Sequence, residues 1–545
     1  MIDNNKISID QYSENIYNNN CNNKLNLNKN NHVLILNNTS ISLNIQNECN
    51  ESEKILEKIY NENKTLISEE KYRFVILALA CLVNFMVGFV WTTFSTISVN
   101  FSKYFNIPNI QIDYLTNTYC VAYIIFNFPI CYIIKNVNFP NYKLMIGSSL
   151  LLLIGCFIRT WVNYSIVYAY IGQIFCAITQ PIIFNLNSKL VSDWFRSNIR
   201  LIALSFLFAV NSLGIVVVFY LPIICFSKNT NKDKWLAEFN NYISIPCYLS
   251  ICISILVFAL MKEKPNVPPS ITAINDNNRF SHGSLSDIQL TNNNTNDNLL
   301  INQKISEYNK NNNPYSEEII INNNLSMFQL SIKMLKNKNF VMLLLYFNSI
   351  ELFFNLFNTS VDKMLNYYNF SDNNANILNG LNNFAGIIGI MLVGFLGAKI
   401  KKYKLILIVL NLLIIINYLT LTLFLEFRLS PHKYFWIYFT IFFIMGLTIA
   451  PSYLIPIDFA IEIIYPINEC ISTGFLFWFS QVATLLFIYF MDMLINKNLY
   501  FYINLMFLGL FIISQVSSFI VKGKLINKYI YIYIINFRKF NKIKN

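Results

Sequence analysis

The sequence predicts an all-α polytopic membrane protein, with twelve transmembrane helices in two six-helix halves. Three observations predict it. Hydrophobic residues make up 54% of the 545-residue chain and charged residues only 13%, where a soluble domain carries about a quarter. The apolar residues gather in twelve runs, each of about 20 residues or more and so long enough to cross a hydrocarbon core about 30 Å thick. One long polar stretch separates the first six runs from the last six.

Residues 1–72 are Asn-rich (YNNNCNNKLNLNKNN) and have too little apolar surface to repay ordering, so a disordered tail is expected. No secretory leader stands before the first run, which is expected to act as its own signal anchor. An N-terminal bundle over 73–261 holds runs at 74–98, 114–134, 144–163, 165–187, 201–226 and 243–261. Residues 262–338 are again Asn-rich (NNNTNDN, NKNNNPY) and read as a disordered linker. A C-terminal bundle over 339–521 holds runs at 339–361, 374–398, 404–425, 434–457, 470–491 and 498–521, and 522–545 is a basic tail. Lys135, Lys143, Arg196, Arg200, the lysines of 399–404, the linker and the tail fall on one side of this arrangement. By the positive-inside rule that side is cytoplasmic and holds both termini.

Composition also excludes. The net charge of +12 belongs to cytoplasmic loops in such a chain and does not call for a nucleic-acid partner. The eleven cysteines are scattered without a CxxC pair, and His32, His282 and His432 all lie outside the runs, so neither a metal centre nor a cofactor is expected. No GxxxxGK[ST] motif and no nucleophile–base pair is present. These absences argue against an ATP-driven pump and against an enzyme. Six runs, a linker and six more runs is the layout of a two-half carrier whose substrate sits between the halves, moved facilitatively or with a coupled ion.

Polar groups inside the runs mark candidate sites, because an amide or acid in hydrocarbon is costly unless it meets a partner or faces a cavity. The stretch GQIFCAITQPIIFNLNSKLVSDWF (172–195) carries Gln173 and Gln180, with Pro181 breaking the ladder beside the second. Glu351 sits mid-run, as a counter-charge for a cation or a proton site, or else as an acid facing water or paired with Arg159 or a lysine. Trp91 is a candidate face for a quaternary ammonium, against the alternative of packing.

Four stretches, QIDYLTNTYCVAY (111–123), GQIFCAITQPIIFNLNSKLVSDWF (172–195), EKPNVPPS (263–270) and SYLIPIDFAIEIIYPINECISTGFLFWFSQ (452–481), resemble the feline leukaemia virus subgroup C receptor-related family of the major facilitator superfamily. The loop GFLGAKIKKYK (394–404) resembles the superfamily's Gly-rich, basic loop, while its counterpart KNVNFPNYK (135–143) lacks the usual acid. The resemblance implies a major facilitator fold and carriage of choline or ethanolamine, or in an older assignment haem, by alternating access. It implies substrate contacts at Trp91, Tyr119, Gln180 and Gln481, with Asn211 either lining the pocket or packing beside Gly214. It departs from the family at Val87, where an asparagine is usual and the nearest here is Asn84, at Glu351, where the family is not acidic, and at Asn355, where it tends to an aromatic that Phe353, Phe354 or Phe357 would have to supply. Asp458, Glu462 and Glu469 match an acidic signature and are expected in a gate with Arg196 or Arg200. Expected partners are the small-molecule substrate and the lipid bilayer, the chain acting as a monomer in the plasma membrane or an organelle membrane. Haem export and a non-transporting receptor or scaffold are the alternatives.

Overall fold

The computed structural model describes residues 70–136, 140–196, 199–227, 232–262, 265, 325–400, 402–464 and 467–522. Most of the expected tails and linker lie outside the described residues. Regular structure among these residues is helical: α1 (Arg73–Trp91), α2 (Ser98–Phe105), α3 (Asn109–Asn136), α4 (Asn141–Arg159), α5 (Ile166–Trp194), α6 (Arg200–Cys225) and α7 (Lys232–Leu260) in the first half. The second half holds α8 (Met327–Lys336), α9 (Lys338–Tyr367), α10 (Asp372–Ile400), α11 (Tyr403–Glu426), α12 (Phe435–Ile463), α13 (Glu469–Asn496) and α14 (Tyr500–Ile520). All but α2 and α8 are long and apolar enough to cross a membrane, twelve in all. Their outer faces expose large apolar side chains such as Ile255, Phe258, Phe519 and Ile520, as lipid requires.

Helix ends follow local chemistry. Ser165 and Asn468 cap α5 and α13 by accepting from the backbone N–H of Val167 and Cys470. Asn106, Asn369 and Asn498 take the left-handed backbone that follows a helix, which asparagine tolerates better than most residues.

Several helices run past their expected bounds, α5 to Trp194, α9 to Tyr367 and α12 to Ile463 among them, and two differences have a clear local cause. Helix α7 begins eleven residues before the expected 243, because Trp235, Phe239 and Tyr242 on its polar first turns bury against Phe94, Phe101 and Ile112. Protein packing, not hydrocarbon, holds that end. Residues 327–336, expected as linker, form α8. Ser326 and Gln329 close a reciprocal capping box there, and Leu330 and Met334 bury one face. At ten residues the helix is too short for a spanning pattern, and its polar flanks hide it in composition.

Close helix crossings build each bundle. A methyl group on Gly88 of α1 would overlap the carbonyl of Asn211 on α6, and one on Gly214 would overlap that of Phe85. The two glycines therefore let α1 and α6 touch backbone to backbone. Beside them, Asn84 and Asn187 exchange amide hydrogen bonds of 3.0 and 2.9 Å, tying α1 to α5.

Candidate functional site

Phe477 of α13 lies at the centre of an aromatic cluster that joins the halves. Its ring centroid is 4.9 Å from Phe184 on α5, 5.1 Å from Phe347 on α9, 6.0 Å from Tyr123 on α3 and 6.3 Å from Phe208 on α6. Helical register then fixes what lies one turn away toward the Trp91 end. From Phe184 it is Gln180, from Phe347 Glu351, from Tyr123 Tyr119, from Phe208 Asn211 and from Phe477 Gln481. Five of the residues singled out in the sequence thus stand at one depth, one turn from the Phe477 cluster, with the side chains of Tyr119 and Asn211 turned into the first half.

Contacts between α9 and α13 sharpen this. Phe347 meets Phe477 on one side, and the Asn355 amide donates to Thr484 at 3.3 Å on the other. Glu351 and Gln481 lie between these two contacts and so face each other. Glu351 is 6% exposed, and among the described residues its carboxylate has no hydrogen bond or ion pair. Gln180 Oε1 is buried without a donor. Above the layer, Phe354 stacks on Trp91 with centroids 6.4 Å apart and planes within 26°, and touches Tyr453 at 5.5 Å. Phe354 thereby supplies a ring near the position where Asn355 lacks one.

Other residues are engaged elsewhere. The Asn211 amide donates to the Asn84 carbonyl at 2.9 Å, which is the packing alternative for its NH2 group. Asn84 itself is held by Asn187. The Tyr119 hydroxyl is buried without a partner and feels Cys176 and Arg159, inside the first half. Arg159 lies under the Phe94 ring at 4.7 Å, so it is not the partner of Glu351. Gln173 donates to the Trp91 carbonyl at 3.4 Å. Of the three histidines His432 is exposed, and the other two lie outside the described residues.

Toward the opposite end the halves are fastened together. Asn127 donates to the Gly474 carbonyl at 3.1 Å and also accepts from Asn185 at 2.9 Å. Ser188 and Thr473 share a 3.0 Å bond, and the Trp478 indole donates to the Ile124 carbonyl at 3.1 Å. Arg200 pairs with Glu469 at 3.2 Å. Asp458 accepts from Tyr403 at 2.6 Å, within its own half, while Arg196 and Glu462 are exposed. Asn127, Asn185 and Thr473 were legible only as polar residues in apolar runs, and nothing in their spacing pairs them. At the Trp91 end a cavity of about 260 Å³ opens between the halves, bordered by Ser95, Thr96, Asn100, Asp362, Asn373 and Asn376.

Residues 80–466 match the family model of the Major Facilitator Superfamily. The chain belongs to the Major Facilitator Superfamily. This facilitator is 24% identical over 423 residues to the choline/ethanolamine transporter flvcr2a of Danio rerio, covering 75% of the chain and 78% of that relative. It is 22% identical over 442 residues to the choline/ethanolamine transporter FLVCR2 of Homo sapiens, covering 78% and 72%. The resemblance to the receptor-related family therefore stands. In fold the facilitator is similar to the proton:xylose symporter XylE, with a TM-score of 0.61 at 13% identity over 84% of this chain and 98% of that one. It is a multi-pass membrane protein that carries a small molecule.

The Arg200–Glu469 pair allows a direct check on closure. Glu469→Arg is expected to weaken the fastened end by about 1 kcal/mol, roughly a fivefold shift between conformers. The double swap Arg200→Glu with Glu469→Arg should restore it. Maleimide labelling of Cys131 and Cys470, both buried behind this end, reads the shift.

Proposed function

We propose that this facilitator carries choline or ethanolamine by alternating access, as a monomer, with its termini and the Arg200 end in the cytoplasm of a plasma-membrane topology. The observation that carries the reading is the Trp91–Phe354 aromatic pair standing above a layer that holds Gln180, whose Oε1 meets no donor, and the buried acid Glu351. A choline headgroup asks for such a face and for polar groups to orient its hydroxyl. The naming of the relatives as choline/ethanolamine transporters supports the same substrate class.

In this reading the described state is closed toward the cytoplasm. Substrate enters through the cavity beside Asp362. Its ammonium lies against Trp91, with Tyr119 behind, and its hydroxyl or amine is oriented by Gln180 and Gln481. Asn211 holds the wall of the site. Opening the far end breaks the bonds between α13 and the first half, and Arg196, Asp458 and Glu462 re-pair as that end moves.

The test is uptake of labelled choline and ethanolamine by transporter-null cells expressing the chain. Uptake well above that of empty cells is expected for at least one amine. Uptake no greater than in empty cells for both would remove the proposal, and haem loading of the same cells would then test the alternative cargo.

A further inference from the structure

We propose that Glu351 makes this carrier an exchanger of one substrate cation for one proton. The inference rests on the cation reading above and names the ion coupling of that same site. Glu351 stands in the membrane's interior, in the central layer, facing Gln481, and among the described residues no cation reaches it. A carboxylate left there alone would hold a buried, uncompensated charge, which is strongly unfavourable. Two states of the layer are electrically neutral. In one the acid keeps its proton and the site is empty. In the other the carboxylate faces a bound ammonium.

The step between them balances simply. The cation enters, the O–H bond of the Glu351 carboxyl breaks, and the proton leaves to water. On release at the other side, the carboxylate takes a proton from water there, and the empty neutral carrier returns. One positive charge moves each way, so a full cycle transfers no net charge.

The surroundings support one titrating acid. Cys120 and Tyr123 of α3 and Tyr453 of α12 lie within electrostatic reach of Glu351. Helix α13 presents Gln481 and Thr484, α10 brings Asn383 to Asn358 two turns along α9, and α14 packs Phe507 and Phe511 on Phe353, on the other face of α9. Lys189 and Asp193 of α5 pair with each other at 3.0 Å nearer the closed end. Arg159 is held over Phe94. A proton route also lies on α9 itself. Glu351, Asn355, Asn358 and Asp362 fall at i, i+4, i+7 and i+11, one helix face. The last of them borders the open cavity.

The test uses the purified full-length chain. In weakly buffered detergent, choline chloride or ethanolamine hydrochloride is added while pH and tryptophan fluorescence are recorded. About one proton released per cation bound is expected, retained in Glu351→Asp and lost in Glu351→Gln. In vesicles, an inside-acid gradient of about one pH unit should accumulate choline, which has no membrane-permeant neutral form, about tenfold over protein-free vesicles, and a valinomycin-imposed potential should leave uptake unchanged. This comparison needs only the wild-type chain, so it decides even if the glutamine variant does not fold. Binding without proton release, or uptake driven by potential and indifferent to the pH gradient, overturns the exchange and leaves the choline reading intact. No binding and no uptake of either amine overturns that reading and the exchange together.

Discussion

Replacing Trp91 with alanine is expected to weaken choline transport about 30-fold, corresponding to about 2 kcal/mol for a desolvated cation against an indole face. The loss should appear in KM for uptake, because in the proposed site the ring holds the cation before the halves move. Trp91→Phe keeps a smaller face and should recover part of the affinity. The physical ground is the stack with Phe354, whose planes lie within 26° of the indole and which would itself be freed by the substitution. Ethanolamine, a smaller and better hydrated cation, should lose less than choline, so the ratio of the two effects reports cation–ring contact and separates it from general damage. Equal uptake by wild type and Trp91→Ala, at matched surface expression, would rule the ring out of the site.

The second large effect is on folding. Gly214→Leu is expected to cost about 4 kcal/mol or more, at the severe end for one substitution, and to leave little folded carrier. The new side chain would have to occupy the space of the Phe85 carbonyl and the Phe89 amide on α1. Backbone cannot give way there without parting α1 from α6, and with it the Asn211–Asn84 bond. The control is Gly509→Ala on α14, where an added methyl meets no atom within 4 Å. It should be neutral or mildly stabilising, since alanine favours helix over glycine by up to about 1 kcal/mol. Size-exclusion profiles of detergent-solubilised protein distinguish the two.

The spanning helices were readable because a bilayer imposes a length and an apolar composition on every segment that crosses it. What escaped were the parts governed by protein contact. The start of α7 is polar in composition yet anchored by Trp235 and Phe239. The capping box of α8 is local and too short to stand out. The site divides in the same way. Glu351 could be found from sequence because an acid in an apolar run is conspicuous. Phe477, Phe184 and Phe347 could not, since 47 phenylalanines offer no means of choosing among them. Only their mutual register shows which face of each helix they mark. Asn84, the nearest asparagine to the family's usual position, spends its side-chain NH2 on the Asn187 oxygen and its own helix's Ala80 carbonyl and its side-chain oxygen on the Asn187 NH2, a use that spacing alone does not reveal.

Four of the bonds that fasten the halves at the closed end converge on one element. Glu469, Thr473, Gly474 and Trp478 are all on α13, tied to α6, to α5 and, for the last two, to α3 of the first half. Gln481 is on the same helix, two turns beyond Gly474. If cargo binds as proposed, α13 is a rigid rod gripped at one end and touched by cargo at the other, and it behaves as a lever. A ligand that draws Gln481 inward by a fraction of an ångström would load all four ties at once, and they would release together.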